Sequence, residues 1–412
     1  MLRVVHTADV HLGARHDDLG DRATAQRDRQ FAAFVATVDL AISAKADLFL
    51  IAGDLFDSNV QPRRSVERVA AQLGRLREAR IRAVIIPGTH DCYERSSIYR
   101  AFDLKSMAGS TPDDDFVTVL TPEVSSVHLA ACDAIVYGPV YATKRAPHSP
   151  MNDIDVEGDA RGATWRIGMI HGSIAIPGRT DHDDVVITTD EIARSGLDYL
   201  ALGHWHSAQQ ARAGNVAYAY PGAPEAVALD QDRAGNVLAV EFEMTATGRS
   251  VTIAEHKVGR TTFRKDEVDA ATVASQPAFI DAMARLGDAD LVLDVRLVGV
   301  RPDDLDFDVD EVETALAPDF LKVRVRDVST PALTEGALPP PDTIAGAFIR
   351  DLEARIAELE AAGGTSGPDG TSGPGGPAGE ASQGEASQGE AAELRDALRL
   401  GRLLLGGHEV SL

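Results

Sequence analysis

Five short clusters of histidine and aspartate, each shortly after an apolar run, constrain this chain more than any other feature of its sequence. The clusters are DVH after LRVV, GDLFD after DLFLIA, GTHD after RAVIIP, HG after WRIGMI and GHWH after DYLAL. Apolar runs of this length predict buried strands, so each cluster falls where a strand ends. Because α/β sheets place binding sites at strand ends, the five clusters together predict one shared site.

The residue types in these clusters are ligands for divalent metal ions. Two ions about 3.5 to 4 Å apart can hold the attacking and leaving oxygens of a phosphate ester when a carboxylate bridges them and imidazoles complete each shell. Asp54 is the predicted bridge, and the remaining predicted ligands are Asp9, His11 and His206 for one ion and His171 and His204 for the other. This mixture suits Mn, Fe or Zn better than Mg or Ca, and Mn is the predicted ion.

Two further residues have predicted catalytic roles. His90 stands beside the ligands, where an imidazole can protonate a leaving alkoxide or stabilise charge on a phosphate. Asp57, the second carboxylate of GDLFD, suits a group that orients a ligand or forms a structural turn. Glycines beside the ligands, such as Gly53, are expected to let the backbone approach the metals closely.

The order D-x-H, G-D-x-x-D, G-x-H-D, H-G and G-H-x-H resembles the calcineurin-like metallophosphoesterases. More narrowly, HTADVHLG, GDLFDSNVQP and YPGAPEAV resemble the SbcD-like nucleases of bacterial DNA repair, over residues 1–260. The resemblance implies a metal-dependent DNA exonuclease, and possible endonuclease, with His90 as its catalytic histidine. It also implies a homodimer that acts on DNA ends with an SbcC-like SMC-type ATPase.

Thr89 departs from the pattern of that family, which usually has asparagine before the catalytic histidine as a ligand of the second metal. A threonine hydroxyl is a shorter-reaching ligand than an asparagine amide. The second site is therefore expected to bind metal weakly. Either the enzyme is still active with this weak site, or it has lost its activity. Because every other ligand and His90 are present, the first outcome is favoured.

The net charge of −24 is unfavourable for a DNA enzyme, since DNA binding depends largely on phosphate neutralisation by Lys and Arg. The charge is uneven, however. Residues 1–105 carry 16 Lys or Arg against 14 Asp or Glu, which leaves the excess of acid in the rest of the chain. Within this part, Arg95 and Tyr93 follow the His90 motif closely and are the predicted substrate-binding residues.

Two other functions remain open from sequence. A phosphatase or phosphodiesterase acting on nucleotides or small phosphate esters would tolerate the acidic charge better. A catalytically weakened scaffold that binds DNA ends would follow from loss of the second metal site at Thr89. The number of site roles that the residues fill favours the DNA phosphodiesterase.

Composition indicates a cytoplasmic protein. The two cysteines, Cys92 and Cys132, argue against a disulfide framework and for a reducing compartment. Cys92 lies two positions after His90, but a small filler near the site is favoured over a catalytic thiol. No stretch approaches the roughly 20 apolar residues of a membrane span, so no membrane association is expected.

The predicted architecture is α/β, a two-sheet sandwich flanked by helices and followed by a small α+β capping domain and a helical tail. Residues 1–260 form the metallophosphoesterase domain, in which strands near 216–220, 237–243 and 251–258 are expected to complete the second sheet. Residues 261–335 form the acidic capping domain, which the resemblance implies helps to select DNA ends.

The tail is predicted to alternate between order and disorder. Residues 336–362 form a helix, and residues 363–390 form a Gly, Ser, Pro and Glu linker that cannot bury enough apolar surface to fold. Residues 391–412 form a leucine-rich C-terminal helix. The sequence leaves open whether these helices fold back on their own chain or dock on a partner, and the resemblance favours docking on the ATPase.

Overall fold

The computed structural model describes residues 1–363, apart from 112, 160, 181, 229, 230, 232, 247, 303, 332–339, 341 and 342. Beyond residue 363 it describes only 394, 397, 398 and 401. The predicted linker therefore lies outside the described residues beyond its first position, and so does most of the predicted C-terminal helix.

The strands are short and occur throughout the described part of the chain. In chain order they are β1 (Leu2–Thr7), β2 (Leu48–Ala52), β3 (Arg82–Ile86), β4 (Val117–Val119), β5 (Ser126–Leu129), β6 (Ala134–Tyr137), β7 (Trp165–His171), β8 (Ser173–Ile174), β9 (Val186–Ile187), β10 (Tyr199–Gly203), β11 (Gln209–Ala213), β12 (Val216–Tyr220), β13 (Asn236–Thr245), β14 (Gly248–Lys257), β15 (Thr262–Asp269), β16 (Asp288–Val298), β17 (Val300–Arg301), β18 (Phe320–Asp327) and β19 (Thr330–Pro331).

Helices fall mainly between the strands. In chain order they are α1 (Ala23–Ser43), α2 (Arg63–Glu78), α3 (Ile98–Ala101), α4 (Leu104–Met107), α5 (Thr189–Arg194), α6 (Gln276–Ala284), α7 (Val309–Leu316) and α8 (Ile344–Gly363).

Two six-stranded sheets build the main fold. The first has the order β14-β13-β1-β2-β3-β4, and the second has the order β11-β12-β10-β7-β6-β5. In the first sheet β1, β2, β3 and β4 are parallel, and in the second sheet β6, β7, β10 and β12 are parallel. The first sheet has antiparallel strands, β13 and β14, at one edge, and the second sheet has an antiparallel strand at each edge, β11 and β5. The predicted mixed α/β fold with two sheets and flanking helices is confirmed.

Alternation along each central strand divides the core into layers. In β2, Leu48 and Leu50 face the second sheet, whereas Phe49 and Ile51 face helices α1 and α2. On the outer side of the second sheet, Leu200 packs with Ile192 of α5. Strands that are buried on both faces read as continuous apolar runs, which is why the sequence predicted these strands clearly.

The predicted assignment of the last strands of this domain is partly wrong. β12 joins the second sheet beside β10, as expected, but β13 and β14 join the first sheet. β13 pairs antiparallel with β1, placing Val240 opposite Val4. Both sheets present an open edge to a following strand, and apolar alternation alone does not specify which edge the strand takes.

The chain divides into two compact units. One comprises Met1–Asp266, Met283–Val295 and Glu313–Arg324, and the other comprises Glu267–Ala282, Arg296–Val312 and Val325–Leu412. Within residues 261–335, β15, β16 and β18 form a three-stranded sheet, and α6 and α7 are the helices. The domain boundary at residue 260 and the capping role remain predictions. No helix within the described ranges is long and apolar enough to cross a membrane.

Candidate metal centre

The clusters predicted from sequence meet because their strands are neighbours. β1, β2 and β3 are adjacent and parallel in the first sheet, and β7 and β10 are adjacent and parallel in the second, where Gly203 lies opposite His171. The loops that follow these strands therefore leave from the same edges of two packed sheets. Backbone hydrogen bonds join the loops, including Asp9 N to Gly53 O at 3.1 Å and His11 N to Asp54 O at 3.0 Å.

Three groups of side chains in these loops could each hold a metal ion, their ligand atoms lying within 4.8 Å of one another. The groups are Asp9, His11 and His206; Asp9, Asp54 and His171; and His11, Asp57 and His90. His11 Nε2 lies 3.1 Å from His206 Nε2 and 3.8 Å from Asp54 Oδ2. The structure thus brings together five of the predicted ligands, Asp9, His11, Asp54, His171 and His206.

His171 shows most clearly that these residues fit a metal ion. Its Nδ1 is fixed by the carbonyl of Ala52 at 2.9 Å, which directs Nε2 into the cluster. That Nε2 is buried and 3.1 Å from Asp54 Oδ2, but without the geometry of a hydrogen bond. Buried polar atoms without partners are rare, and a divalent ion between an imidazole and a carboxylate would satisfy both. The residues present therefore fit a metal centre.

His204 and Thr89 lie at the edge of this cluster. The His204 ring is 5.3 Å from the His171 ring between centroids, and its backbone N–H donates to Asp9. Within the described residues it belongs to none of the three-residue groups. Thr89 Oγ1 donates to Asp54 Oδ2 at 3.3 Å. Both side chains are thus beside Asp54 and His171, where the second ion was predicted.

Several predicted ligand residues adopt a left-handed backbone conformation that the sequence did not reveal. The φ angles are 54° at Asp9, 48° at His11, 50° at Asp54 and 99° at His204. Such conformations are unfavourable for residues with a side chain and concentrate at functional sites. Sheet packing and the loop hydrogen bonds hold them in place here.

Burial and mutual charge shift the protonation of the cluster strongly. Burial raises the pKa of Asp9 to about 6. Burial also acts on Asp54, but the charge of His171 outweighs it and holds the pKa of Asp54 well below its usual range. The reverse effect of Asp54 overcomes burial and raises the pKa of His171 to about 10. Burial lowers the pKa of His204 to about 4 and that of His206 to about 3.

His90 is the exposed member of the site. About half of its side chain is accessible, and its ring lies 4.6 Å from that of His11. His90 Nδ1 is 3.0 Å from the carbonyl oxygen of Asp57, so this nitrogen donates and Nε2 is left for a substrate. Asp57 Oδ1 lies 3.3 Å from His11 Nδ1. This contact with His11 is the main reason that the pKa of Asp57 is lowered.

Sequence reasoning missed Asp91 as a member of the site. This buried carboxylate accepts from Gly88 N at 2.7 Å, from Phe56 N at 3.1 Å and from Tyr99 OH at 2.5 Å. It thereby joins the loop after β2 to the loop after β3. Its place directly after His90 was the available signal.

The predicted substrate-binding residues lie in the segment after His90. Tyr93 is half-buried against the core between the sheets, with the Arg100 guanidinium 4.1 Å above its ring. Arg95 is exposed. Cys92 is buried, and burial raises the pKa of its thiol to about 11, which favours a packing role for it. The roles of Tyr93 and Arg95 remain predictions.

A buried set of carboxylates and imidazoles at the edge of two packed α/β sheets defines a metal-dependent phosphoesterase. Residues 2–208, half of the chain, match the family of calcineurin-like phosphoesterases. The chain belongs to this family, and the resemblance seen in its sequence motifs is confirmed.

Two curated relatives illustrate where in this family the similarity lies. The chain is 29% identical over 234 residues to the uncharacterized metallophosphoesterase YhaO of Bacillus subtilis (strain 168), covering 55% of this chain and 53% of that protein. It is 26% identical over 287 residues to the DNA double-strand break repair protein Mre11 of Aeropyrum pernix, covering 65% and 64%. The match thus spans less than two thirds of either relative.

A solved structure, that of TT1561 of Thermus thermophilus, matches 62% of this chain and 99% of its own, with 12% identity and a TM-score of 0.39.

Proposed function

We propose that this chain is a metal-dependent DNA phosphodiesterase, an SbcD-like exonuclease with possible endonuclease activity. The observation that carries the proposal is the half-exposed His90 beside the buried cluster around Asp54. A reacting phosphate can reach this histidine from solvent while the ligands stay fixed below it. The similarity to Mre11 repair proteins supports DNA as the substrate, and the near-neutral charge of residues 1–105 is compatible with it.

The proposed ligand roles are those of the sequence motifs, and the side-chain groups around Asp9 and Asp54 support them. Asp9, His11 and His206 would hold one ion, and His171, His204 and Thr89 the other, with Asp54 shared. Bound divalent ions, with Mn favoured and Fe or Zn also compatible, would supply Lewis acidity at the phosphate and activate water as the nucleophile.

His90 and Asp57 would act on the leaving group. Because His90 Nδ1 donates to the Asp57 carbonyl, its Nε2 is directed outward. In the protonated form this nitrogen can donate to the departing oxygen or to a phosphate oxygen. Asp57 contacts both His90 and His11, so it would orient the two rings. Arg95 and Tyr93 would hold the substrate strand beyond His90.

A partner surface is proposed on the C-terminal helices. In α8, Ile344 is 92% and Phe348 49% exposed, whereas Ile349 and Ile356 are buried. Exposed apolar side chains on one helix suit docking on an SMC-type ATPase in the manner of SbcD-like proteins. Gly401 lies beside Phe348, which keeps open the alternative that the helices pack on their own chain. A homodimer and cytoplasmic location are part of the same proposal.

The test is Mn-dependent degradation of linear double-stranded DNA, with hydrolysis of bis-p-nitrophenyl phosphate measured in parallel. His90→Ala should lower the rate about 10²- to 10⁴-fold, the usual contribution of a general acid. Thr89→Asn should raise the rate at limiting Mn, since an amide oxygen reaches the second ion better. His256→Ala, which changes an exposed histidine of β14, is the matched control and should leave the rate unchanged.

The alternatives give different results. Hydrolysis of the small ester without DNA degradation would identify a small-ester phosphodiesterase. Neither activity, with one Mn bound per chain, would identify a DNA-end-binding scaffold and refute the proposed reaction.

A further inference from the structure

Gln231 contacts the outer nitrogen of a predicted metal ligand. Its side-chain amide forms a hydrogen bond with His206 Nδ1, on the side of the ring opposite to the cluster. The other nitrogen of that ring, Nε2, faces His11 Nε2 at 3.1 Å. Gln231 is therefore placed to control which nitrogen of His206 carries the proton.

Two backbone groups fix the orientation of the Gln231 amide. Gln231 Oε1 accepts from Val227 N at 3.0 Å and from Ala228 N at 3.2 Å. Backbone N–H groups can only donate, so the oxygen must face them. The NH₂ end is consequently the one that faces His206, and a reversed amide would place its donors against two other donors.

This orientation determines the tautomer of His206. Because Gln231 donates to Nδ1, that nitrogen carries a lone pair, and the ring proton is on Nε2. The Nε2–H then donates to His11 Nε2, and the proton of the His11 ring is on Nδ1, 3.3 Å from the Asp57 carboxylate.

A metal ligand needs the opposite arrangement. A histidine that binds a metal through Nε2 usually donates its Nδ1–H to an oxygen acceptor, which also strengthens the ligand. His171 has this arrangement, with Nδ1 against the Ala52 carbonyl. His206 instead faces a donor.

We propose that Gln231 holds His206 in the tautomer that cannot bind a metal through Nε2, and thereby weakens the site formed by Asp9, His11 and His206. A metal ion can bind at this site only if the Gln231 amide reverses its orientation or moves away from the His206 ring. Either movement breaks the hydrogen bonds of Gln231 with Val227 and Ala228. Occupancy of the ion is thus coupled to the segment after β12. The inference rests on the proposed metal centre but not on DNA as its substrate.

Gln231→Glu tests this coupling. A carboxylate keeps an acceptor for Val227 N and Ala228 N and offers a second acceptor to His206 Nδ1–H. The variant should therefore fold as the wild type does and should bind Mn²⁺ at this site roughly tenfold more tightly, in line with the effect of partners that orient metal ligands. The measurement is calorimetric titration of the metal-free full chain with Mn²⁺.

Gln210→Glu is the matched control. It adds the same charge to an exposed side chain four residues after His206, and its Mn²⁺ affinity should remain within about twofold of the wild type. Nitrogen-15 NMR of the metal-free protein gives a second readout, with the His206 signals identified by their absence in His206→Asn. The wild type should show the proton on Nε2, and Gln231→Glu should show it on Nδ1.

Two results would overturn the inference in different ways. Equal Mn²⁺ affinity in the wild type and Gln231→Glu, or a wild-type proton on Nδ1, would refute the role of Gln231 alone. Absence of Mn²⁺ binding in both proteins would refute the metal centre itself. Neither result depends on DNA degradation, so the proposed reaction is judged separately.

Discussion

Asp91 joins two loops of the site through three hydrogen bonds, and one of its oxygens accepts from both Phe56 N and Tyr99 OH. In Asp91→Asn, one backbone N–H must face an amide NH₂, which leaves a buried donor unsatisfied. We expect the free energy of unfolding to fall by about 1–3 kcal/mol. Guanidinium denaturation of the variant and the wild type measures this change.

Tyr99→Phe serves as the comparison for that variant. It removes one hydrogen bond and leaves Asp91 with both backbone partners, so it should cost only about 0.5–1.5 kcal/mol. Equal losses in the two variants would show that the backbone bonds of Asp91 are not what joins the loops.

The sequence predicts the place of some residues in the site but not of others. Asp9, Asp54 and His171 were predictable because each follows an apolar run that must end at the sheet edge. Gln231 was not, since it lies 25 residues after His206 and reaches the ring through a tertiary contact. The predicted ligands follow a local sequence pattern, whereas a residue that contacts a predicted ligand need only be close to it in space.

Gly53 lies between the end of β2 and Asp54, and its backbone packs closely against the His171 ring. Its φ is 90°, and an added Cβ would overlap His171 Nδ1. Gly53→Ala should therefore impose backbone strain of about 1 kcal/mol and also displace His171 from its carbonyl partner. We expect a larger loss of stability than strain alone would cause, together with weaker Mn²⁺ binding, measured by denaturation and calorimetry.

Gly178→Ala separates the two effects. Gly178 has a φ of 75° with nothing within 4 Å of an added Cβ, so this variant carries strain without displacement. Similar losses of stability and unchanged Mn²⁺ affinity in both variants would mean that His171 tolerates the added methyl group.

For some strands the sequence predicted both their existence and their place in the sheet, and for others only their existence. β1, β2 and β3 were recognisable because they are buried on both faces over most of their length, which makes their sequences mainly apolar. β13 and β14 were recognised as strands, but their sheet was not, because the edge that a strand joins depends on the whole topology. The left-handed backbone of the predicted ligand residues was also not predicted, since residues other than glycine seldom adopt it.

At the scale of the whole molecule, the net charge of −24 includes carboxylates that are buried in the site. Asp9 and Asp54 are buried in one cluster, and the pKa of Asp9 is raised to about 6 because burial disfavours its charge. A bound cation removes this penalty and binds the folded chain in preference to the unfolded chain. Metal binding should therefore stabilise the unit that contains residues 1–266.

Thermal unfolding tests this linkage. With Mn²⁺ at 100 times its dissociation constant, the stabilisation is about 2.7 kcal/mol, so the midpoint should rise by several degrees over the value in EDTA. In His171→Ala the Mn²⁺ effect should shrink, because the second ion loses its best-oriented imidazole, while His256→Ala should keep the full effect. Ca²⁺ at the same concentration should stabilise less, since it prefers oxygen ligands and the cluster offers mainly imidazoles. Identical midpoints in Mn²⁺ and EDTA would show that the buried carboxylates are stabilised by neighbouring histidines alone.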